Sequence, residues 1–537
     1  MPLLVALLLA AAFVPAHAAG RATPPAPRDR PAQAPVAPPD STLRARVAAW
    51  RASREGTIVR ELTRLLELPN LASDSVNIRR NAARLVEMLE RRGVTARLLE
   101  SPGSPPAVYG ELATPGATRT VVFYAHYDGQ PVDSARWTSR PWTPVLRDGP
   151  PGPGTRDIPF PAEGARFDPE WRVYARSASD DKAPIVAILS ALDALKALGV
   201  RPSVNLKFFF EGEEEAGSGH LHEMLTRHAE RLKADLWLFG DGPVHQSRRP
   251  VVAFGVRGVM GMQLTVYGPA RPLHSGHYGN WAPNPNVMLV RLLASMRDEE
   301  GRILIDRFYD DVRPFSPEQR AALATIPRVD QQLMGELRLG RTEGGGAPLA
   351  EQVSRPGLNL SGISGGRTGA AAANVIVPEA TAYLDFRMVP DQRPERVRAL
   401  LEAHLARQGY FVVHEDPDSA TRRAHARIIK VTGDGGYPAT STPLDLPVSR
   451  AVLRAAEAAL GEPIIVEPPL GGSLPLYQFQ EILGSPLIMV PIVNHDNNQH
   501  AENENLRLRN LWDGIELYAG LLARIGPEWQ KAEKPVP

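Results

Sequence analysis

Nearly continuous apolar runs alternate with amphipathic segments over much of the chain. Four runs have the length and composition of buried β-strands: 118–126, 203–210, 234–239 and 485–493. Residues 181–200 repeat their apolar positions at helical spacing, and the pattern from about 41 to 66 is also helical. Strands that alternate with helices predict an α/β fold with a mainly parallel sheet that is covered by helices on both faces.

A different hydrophobic pattern interrupts this alternation of strands and helices. Residues 259–268 and 380–389 alternate apolar and polar positions in the manner of half-exposed antiparallel strands, and amphipathic helical patterns lie beside them. We therefore predict a smaller α+β domain over 256–435 that is inserted into the α/β domain. The α/β domain then consists of two parts, 41–255 and 436–537.

The first forty residues predict export. Residues 1–18 combine a short apolar stretch with a small-residue Ala-His-Ala pattern that is typical of a cleavable signal peptide. Residues 19–40 are rich in proline and alanine, which predicts an extended or disordered linker. We expect an exported protein, periplasmic or secreted, with an uncleaved membrane anchor as the alternative. No later apolar stretch is long enough to predict a second span.

The chain has 537 residues, which is more than a single ordinary core accommodates. A hydrophobic content of 43% and a charged content of 23% are typical of a soluble globular protein. A formal net charge of +1 offers no attraction for nucleic acid or an anionic membrane, and no phosphate-binding glycine motif occurs. The chain contains no cysteine, so a metal site must use His, Asp and Glu.

Polar side chains follow each predicted strand and also precede the helix at 181–200. They are His126 and Asp128; Glu211, Glu213, Glu214 and Glu215; Asp241; His495 and His500; and Asp180 and Asp181. Because parallel strands place their carboxyl ends at one edge of a sheet, these groups converge. Each residue alone has an ordinary explanation as a cap, turn or surface residue. Two histidines and three carboxylates together favour a Zn²⁺ or Mn²⁺ site, in which Asp180 can bridge two ions.

Several short motifs occur in the order and approximate spacing of a known family: AHYDGQPVD (125–133), SASDDKAP (177–184), EGEEEAGSG (211–219), FGDG (239–242), LHSGHYGN (273–280), NVIVPEA (374–380), DFRMVP (385–390), GGSLP (471–475) and QHAENE (499–504). On these motifs the sequence resembles the M20 metallopeptidases. The similarity is closest to the dipeptidase branch, which includes carnosine dipeptidases. It spans about residues 55–525.

The resemblance implies a catalytic domain with two divalent metal ions, and an inserted domain that acts as a lid and as the interface of a homodimer. It implies Zn²⁺ as the metal, with Mn²⁺ and Co²⁺ as alternatives. The implied ligands are His126, Asp180 as the bridge, Glu215, Asp241 and His500. Glu214 is implied as the general base, and Asp128 as the acid that orients the His126 imidazole.

The resemblance also implies groups that contact the substrate, a small peptide or an N-acyl amino acid. His274 in the inserted domain resembles the histidine that stabilises the tetrahedral oxyanion and reaches the active site of the partner subunit. Arg387 resembles the residue that binds a substrate carboxylate, which suits a planar bidentate donor. Asn374 and the backbone of Gly472 and Ser473 are further candidates for the same pocket.

The chain departs from the family pattern near Asp180. The family has a glycine beside the arginine that precedes the bridging acid, and this chain has Ala175 and Ser177 there. It also has Ala183 and Pro184 where the family has glycine. Because proline is tolerated in the first turn of a helix, we expect the local geometry to survive.

Three further features have no family role. Glu211 and Glu213 are interpreted as solvated or structural groups. The Pro/Gly-rich segment 148–164 is interpreted as a surface insertion that can alter substrate access. His495 precedes His500 by five residues, and its sequence context does not favour a ligand.

These features predict an exported dinuclear metallopeptidase that cleaves the amide bond of dipeptides or short peptides with a free carboxylate. An N-acyl-amino-acid amidohydrolase or a carboxypeptidase with the same machinery is the alternative. A non-catalytic binding protein is disfavoured, because the general base and all the ligand candidates are present. The GGSLP motif lacks the GxSxG elbow, which excludes a serine hydrolase of that type.

Overall fold

The computed structural model describes residues 41–162, 164–433 and 435–534. The predicted signal peptide, 1–18, and the predicted linker, 19–40, lie outside the described residues. Within the described ranges, no helix has both the length and the apolar character needed to cross a membrane.

The α-helices follow in chain order: α1 (Ser41–Ala52), α2 (Glu55–Leu66), α3 (Ser75–Glu90), α4 (Lys182–Ala197), α5 (Leu221–Leu232), α6 (Ser275–Tyr278), α7 (Pro285–Ala294), α8 (Pro317–Thr325), α9 (Asp330–Glu336), α10 (Leu349–Val353), α11 (Pro394–Arg407), α12 (Ser419–Ala424), α13 (Pro447–Leu460), α14 (Tyr477–Leu483) and α15 (Leu508–Glu533). Short 3₁₀ helices cover Ser134–Arg136, Gly344–Gly346 and Gly369–Ala371.

The strands are β1 (Thr95–Leu99), β2 (Ala107–Leu112), β3 (Thr120–His126), β4 (Val145–Arg147), β5 (Asp157–Ile158), β6 (Arg172–Tyr174), β7 (Asn205–Glu211), β8 (Leu236–Phe239), β9 (Val251–Ala253), β10 (Gly255–Val256), β11 (Gly258–Tyr267), β12 (Leu273–His274), β13 (Gly357–Ser364), β14 (Val375–Ile376), β15 (Glu379–Met388), β16 (Phe411–Val413), β17 (Ile428–Gly433), β18 (Thr440–Ser441), β19 (Ile465–Glu467), β20 (Leu487–Met489) and β21 (Asn505–Arg507).

An eight-stranded main sheet has the strand order β1-β2-β7-β3-β8-β20-β9-β19. Its middle strands β7, β3, β8 and β20 run parallel to one another. Antiparallel pairs join β2 to β7 and β20 to β9 on either side of them. The predicted mainly parallel sheet is therefore confirmed around the strands that carry the candidate ligands.

Helices cover both faces of the main sheet. Neighbouring residues of a strand point to opposite faces, so one strand contributes side chains to two cores. On β7, Phe208 and Phe210 join a core that contains residues of α4 and α15. Phe209 joins a second core with residues of α5 and α14. Because both faces of the sheet are covered by apolar cores, polar side chains gather at the ends of the strands.

A second sheet of five strands has the order β13-β15-β11-β17-β16 and is built mainly from antiparallel pairs. Helices α7 and α11 supply apolar side chains to its core. The predicted alternation of buried and more exposed positions holds for β15. In contrast, β11 is buried over most of its length, since it is the middle strand of this sheet.

Two sequence patterns correspond to shorter elements. The helical pattern over 41–66 forms two helices rather than one, α1 and α2, and the second begins at Glu55. Its carboxylate accepts hydrogen bonds from Arg51 (2.6 Å) and from the Phe167 backbone N–H group (2.8 Å). The apolar run 485–493 is strand only up to the end of β20.

Gly520 marks a close approach between α13 and α15. A Cβ atom on Gly520 would lie 2.1 Å from the Ala459 Cβ atom. We expect Gly520→Ala to lower the free energy of unfolding by about 1–3 kcal/mol, because the two helices must separate. Urea denaturation measures this change.

The matched control is Gly335→Ala in α9, where a Cβ atom meets nothing within 4 Å. This variant should keep the wild-type stability or raise it by up to about 1 kcal/mol. Wild-type stability of Gly520→Ala would contradict the close packing of α13 and α15.

Candidate active site

The predicted metal ligands come together at the carboxyl ends of the parallel strands. Each comes from a different element: His126 from the end of β3, Asp180 from the residues before α4, Glu215 from the loop after β7, Asp241 from the loop after β8 and His500 from the loop between β20 and β21. Three of them, Asp180, Asp241 and His500, line a cavity of about 630 Å³.

Two sets of ligand atoms share Asp180. In the first, His126 Nε2 lies 3.0 Å from Asp180 Oδ1 and 3.9 Å from Asp241 Oδ2. In the second, His500 Nε2 lies 3.1 Å from Asp180 Oδ2 and 3.3 Å from Glu215 Oε2. Within each set the ligand atoms lie within 4.8 Å of one another. The two oxygens of Asp180 thus face different sets, as those of a bridging carboxylate do.

The chemistry of these atoms fits divalent cations. Imidazole nitrogens and carboxylate oxygens are ligands that Zn²⁺ and Mn²⁺ accept readily. Asp180 Oδ2 is buried, and the group that contacts it at 3.1 Å is another candidate ligand, His500 Nε2. Cations between the carboxylates would relieve their mutual repulsion, so the residues present fit two ions.

Burial and close spacing shift the pKa values of the carboxylates at this site. Burial raises the pKa of Glu214 well above its usual range, and neighbouring carboxylates add to this increase. Burial likewise raises the pKa of Glu215 to about 8 and the pKa of Asp241 to about 6. For Asp180, burial opposes the charge, but hydrogen bonds with two histidines hold its pKa below the usual range. Bound cations would keep all the ligands ionised.

Asp128 is fully buried, and its carboxylate contacts both the His126 side chain and the loop after β7. One of its oxygens lies 3.4 Å from His126 Nδ1. Its carboxylate also accepts the backbone N–H groups of Glu214 (3.1 Å) and Glu215 (3.0 Å). The same group therefore faces the imidazole and holds the loop with the predicted general base. The contact with this loop was not foreseen from the sequence.

Sequence reasoning missed Glu504, which is fully buried beside Asp180. Its carboxylate accepts backbone N–H groups at 2.8–3.0 Å from Ser177, Ser179 and Asp180. It also pairs with Arg176 at 2.8 Å. Glu504 therefore fixes the loop of the shared ligand and joins it to the loop of His500. Its place four residues after His500, within the QHAENE motif, was the available signal.

Ser177, one of the departures from the family pattern, has a backbone conformation that favours glycine. Its φ angle is 60°, in the left-handed region that costs an L-residue roughly 1–2 kcal/mol. Local bonds offset this cost, since its hydroxyl donates to the Asp128 carbonyl (3.3 Å) and accepts from Asn70 (2.9 Å). Pro184 lies in the first turn of α4. Both departures are accommodated while Asp180 stays in the two ligand sets.

Glu211 and Glu213 are buried, so the structural alternative of their interpretation as solvated or structural groups holds. Glu211 accepts a hydrogen bond from the Tyr124 hydroxyl at 2.7 Å, and burial raises its pKa to about 7. Glu213 accepts the His220 backbone N–H at 2.7 Å and lies 2.9 Å from His220 Nδ1. Both groups hold the turn after β7. His495 belongs to neither ligand set found among the described residues.

Part of the cavity wall carries the guanidinium of Arg387, whose Nε atom pairs with Asp385 at 3.2 Å. Arg387 on β15 lines the cavity together with Gly472 and Ser473, and Arg387 Nη1 donates to Ser473 Oγ at 2.9 Å. Arg257 supports this loop by donating to the Gly471 carbonyl at 2.8 Å. Burial and the nearby Arg387 cation lower the pKa of Arg257 to about 10. This wall suits a carboxylate of a ligand.

His274 and Asn374 lie outside this cavity within one chain. Both are exposed, and they adjoin one another because Ser275 N–H donates to the Asn374 carbonyl at 2.9 Å. His274 Nδ1 accepts the N–H group of Gly276 at 3.0 Å. The described residues of segment 148–164 do not line the cavity either. That segment contributes β5, which pairs with β4.

A buried carboxylate shared by two histidine-containing ligand sets, at the strand ends of an α/β sheet, defines a metal-dependent hydrolase. The chain belongs to peptidase family M20/M25/M40, whose model matches residues 122–524. It is therefore a metallopeptidase that acts on peptide bonds.

Characterised relatives share most of this length. The Cys-Gly metallodipeptidase dug1 of Schizosaccharomyces pombe is 27% identical over 497 residues, which cover 88% of this chain and 97% of that protein. The Beta-Ala-His dipeptidase of Homo sapiens is 27% identical over 425 residues, covering 77% and 76%. The M20 family metallo-carboxypeptidase Sso-CP2 from Sulfolobus solfataricus matches the fold with a TM-score of 0.70 at 27% identity, covering 88% of this chain and 99% of that one.

Replacing Glu504 by glutamine tests its role as a positioning residue. The side-chain NH₂ group would face backbone N–H donors, so the loop that carries Asp180 should shift. We expect Glu504→Gln to weaken zinc binding by about 10–100-fold. Titration against a competing chromophoric chelator measures the affinity.

Glu502→Gln is the matched control for this measurement. Glu502 lies on the same loop but pairs at the surface with Arg136 at 2.9 Å. Its substitution should leave zinc affinity unchanged. Wild-type zinc affinity in a folded Glu504→Gln protein, with native circular dichroism, would show that Glu504 does not position the site.

Proposed function

We propose that this chain is a metal-dependent dipeptidase that hydrolyses the amide bond next to a free carboxylate. The observation that carries the proposal is the presence of Arg387 and Ser473 in the same cavity as Asp180 and His500. A substrate carboxylate held by Arg387 would bring the neighbouring amide toward the metal ligands. Relatives named for Cys-Gly and Beta-Ala-His dipeptidase activity support dipeptides as the substrate class.

We propose Zn²⁺ as the native metal, with Mn²⁺ and Co²⁺ as alternatives. Histidine combined with carboxylate ligands favours zinc. The residues that would hold the ions are the two ligand sets described above, with Asp180 shared. When bound, the ions would polarise the scissile carbonyl and activate a water for attack.

Glu214 is the group best placed to act as general base. It lines the cavity, its Oε2 atom lies 3.9 Å from His126 Nε2, and it belongs to neither ligand set of the described chain. Burial raises the pKa of its carboxyl, which makes the ionised form a stronger proton acceptor. Glu214 takes a proton from the attacking water and passes it to the leaving amine nitrogen, while Arg387 holds the substrate carboxylate.

A carboxypeptidase that acts on longer peptides is the second candidate. The Sulfolobus solfataricus protein that matches this fold is a metallo-carboxypeptidase. Such an enzyme binds the C-terminal carboxylate of its substrate, for which Arg387 is equally suited. An N-acyl-amino-acid amidohydrolase would use the same groups.

We further propose a homodimer formed through the segment that carries His274. Exposed apolar side chains occur in this part of the chain: Trp281, Val287 and Val290 of α7, and Ile363 of the edge strand β13. Burying them against a second copy would be favourable. The second copy would also bring His274 to the partner's active site, where its imidazole stabilises the developing oxyanion.

Export remains part of the proposal. It is supported by the signal-like pattern of residues 1–18, followed by the Pro/Ala-rich segment 19–40. A chain without cysteine is indifferent to the redox state of its compartment, which is compatible with the periplasm or the exterior.

Amino-acid release from a mixed panel tests the proposed reaction. The purified chain is incubated with dipeptides, tripeptides and N-acyl amino acids, after chelation and after adding back Zn²⁺ or Mn²⁺. We expect metal-dependent release of two amino acids from dipeptides. Glu214→Gln should lower turnover by about 100–10,000-fold, because the proton acceptor is lost, while its zinc content is retained.

Other outcomes of the panel discriminate between the candidates. Release of only the C-terminal residue from tripeptides, with dipeptides untouched, would identify a carboxypeptidase. Turnover of N-acyl compounds alone would identify an amidohydrolase. Full activity of Glu214→Gln would remove Glu214 from the mechanism.

Mixing two inactive variants tests whether His274 acts across subunits. Glu214→Gln removes the base and His274→Asn removes the predicted oxyanion group. A mixed dimer contains one site with both groups intact if His274 comes from the partner. We expect co-expression to recover about a quarter of the wild-type activity, since half of randomly paired dimers would carry one complete site.

The matched control co-expresses Glu214→Gln with Glu214→Ala, a pair that cannot rebuild a site. Light scattering measures the mass of each sample. A monomeric protein, or mixed dimers without recovered activity, would contradict the assignment of His274 to the partner's site.

A further inference from the structure

The cavity extends beyond the metal ligands to the edge of the main sheet. Glu467, the last residue of the edge strand β19, lines it there. In the sheet, Glu467 is level with Ala253 of β9, and Ala253 is level with Met489 of β20. Because β20 pairs with β8, about 14 Å of sheet separates Glu467 from the strand that leads to Asp241. Glu467 is therefore remote from the metal ligands.

Glu467 differs from the other carboxylates of the cavity because it has no partner. Its side chain makes no hydrogen bond or ion pair with any residue that the structure describes. Asp330 also lines the cavity, but it pairs with Arg328 at 2.9 Å and accepts the Leu349 N–H at 2.9 Å. Glu467 is half-buried, and this burial raises its pKa to about 7. A cation beside it would relieve the cost of its burial.

The walls near Glu467 are apolar. Leu323 and Ile326, from α8 and the residue after it, line the cavity together with Leu470. All three pack in the same hydrophobic cluster as Ile465, which shares a face of β19 with Glu467. Apolar walls that end in one carboxylate match a long side chain with an aliphatic stem and a cationic tip. Neither an acidic nor a short side chain satisfies both features.

We infer that Glu467 binds the cationic tip of a lysine or arginine side chain on the C-terminal residue of the substrate. The inference rests on the proposed dipeptidase function and specifies its substrate class. Glu467 and Ser473 are joined by the short stretch 468–472, and Ser473 contacts Arg387 at 2.9 Å. Arg387 would hold the carboxylate of the C-terminal residue. That residue then meets a cation for its carboxylate and an anion for its side chain.

Kinetics with a matched pair of dipeptides test this inference. Ala-Lys and Ala-norleucine have side chains of similar length and differ in the terminal ammonium. We expect wild type to show the higher kcat/KM for Ala-Lys. The ratio of the two kcat/KM values should fall about ten-fold or more in Glu467→Gln, because a charged hydrogen bond is lost. Glu467→Arg should shift the preference toward Ala-Glu.

Glu462→Gln is the control, since Glu462 is exposed on the loop before β19 and should leave the ratio unchanged. An unchanged ratio in Glu467→Gln would overturn the inference, and so would a parallel loss for both substrates, which indicates a structural role. A Glu467-dependent preference for Lys-Ala over norleucyl-Ala would overturn the assignment to the C-terminal residue. Failure of the wild type to hydrolyse any dipeptide would instead overturn the proposed function and this inference with it.

Discussion

Repulsion among like charges is the constraint on which this site depends. Asp180, Glu214, Glu215 and Asp241 meet at the end of one sheet, where burial makes each negative charge more costly. Among the residues that the structure describes, no lysine or arginine side chain pairs with these four carboxylates. Two carboxylates beneath the site, those of Asp128 and Glu504, instead hold the ligand loops by their backbone N–H groups. Arg176, the cation of the Asp180 loop, is paired with Glu504, so the positive charge at the ligands is left to metal ions.

The stretch from Phe208 to Glu215 shows how one run of sequence serves several environments. Its phenylalanines point alternately into two hydrophobic cores, which fixes the register of the strand in the sheet. The carboxylates of Glu211 and Glu213 accept hydrogen bonds from other parts of the fold and do not enter the site. Only Glu214 and Glu215 reach the site, and Asp128 holds both of their backbone N–H groups. Four similar side chains therefore differ in function because of where each one lies.

The sequence predicts the sheet and the ligands better than it predicts their support. Apolar runs mark buried strands, and the strand ends of a parallel sheet meet, so the convergence of His126, Asp241 and His500 was predictable. Glu504 was missed: its motif marks it as a candidate, but its partners are backbone N–H groups more than 320 residues earlier, so no local pattern shows its role. The sequence left open whether Glu211 is solvated or structural for a related reason, since its hydrogen-bond partner Tyr124 lies on another strand.

Because Asp180 belongs to both ligand sets, the order in which the chain is synthesised determines when each set is complete. Its first partners, His126 and Asp241, belong to the same stretch of chain, whereas His500 and Glu504 follow after the whole second sheet. On a chain made from the N-terminus, the second ligand set is therefore completed only after that sheet has been synthesised. Until then the Asp180 loop lacks the carboxylate that holds it. A partly made chain that ends before these residues therefore lacks one ligand of the second set, His500, together with Glu504.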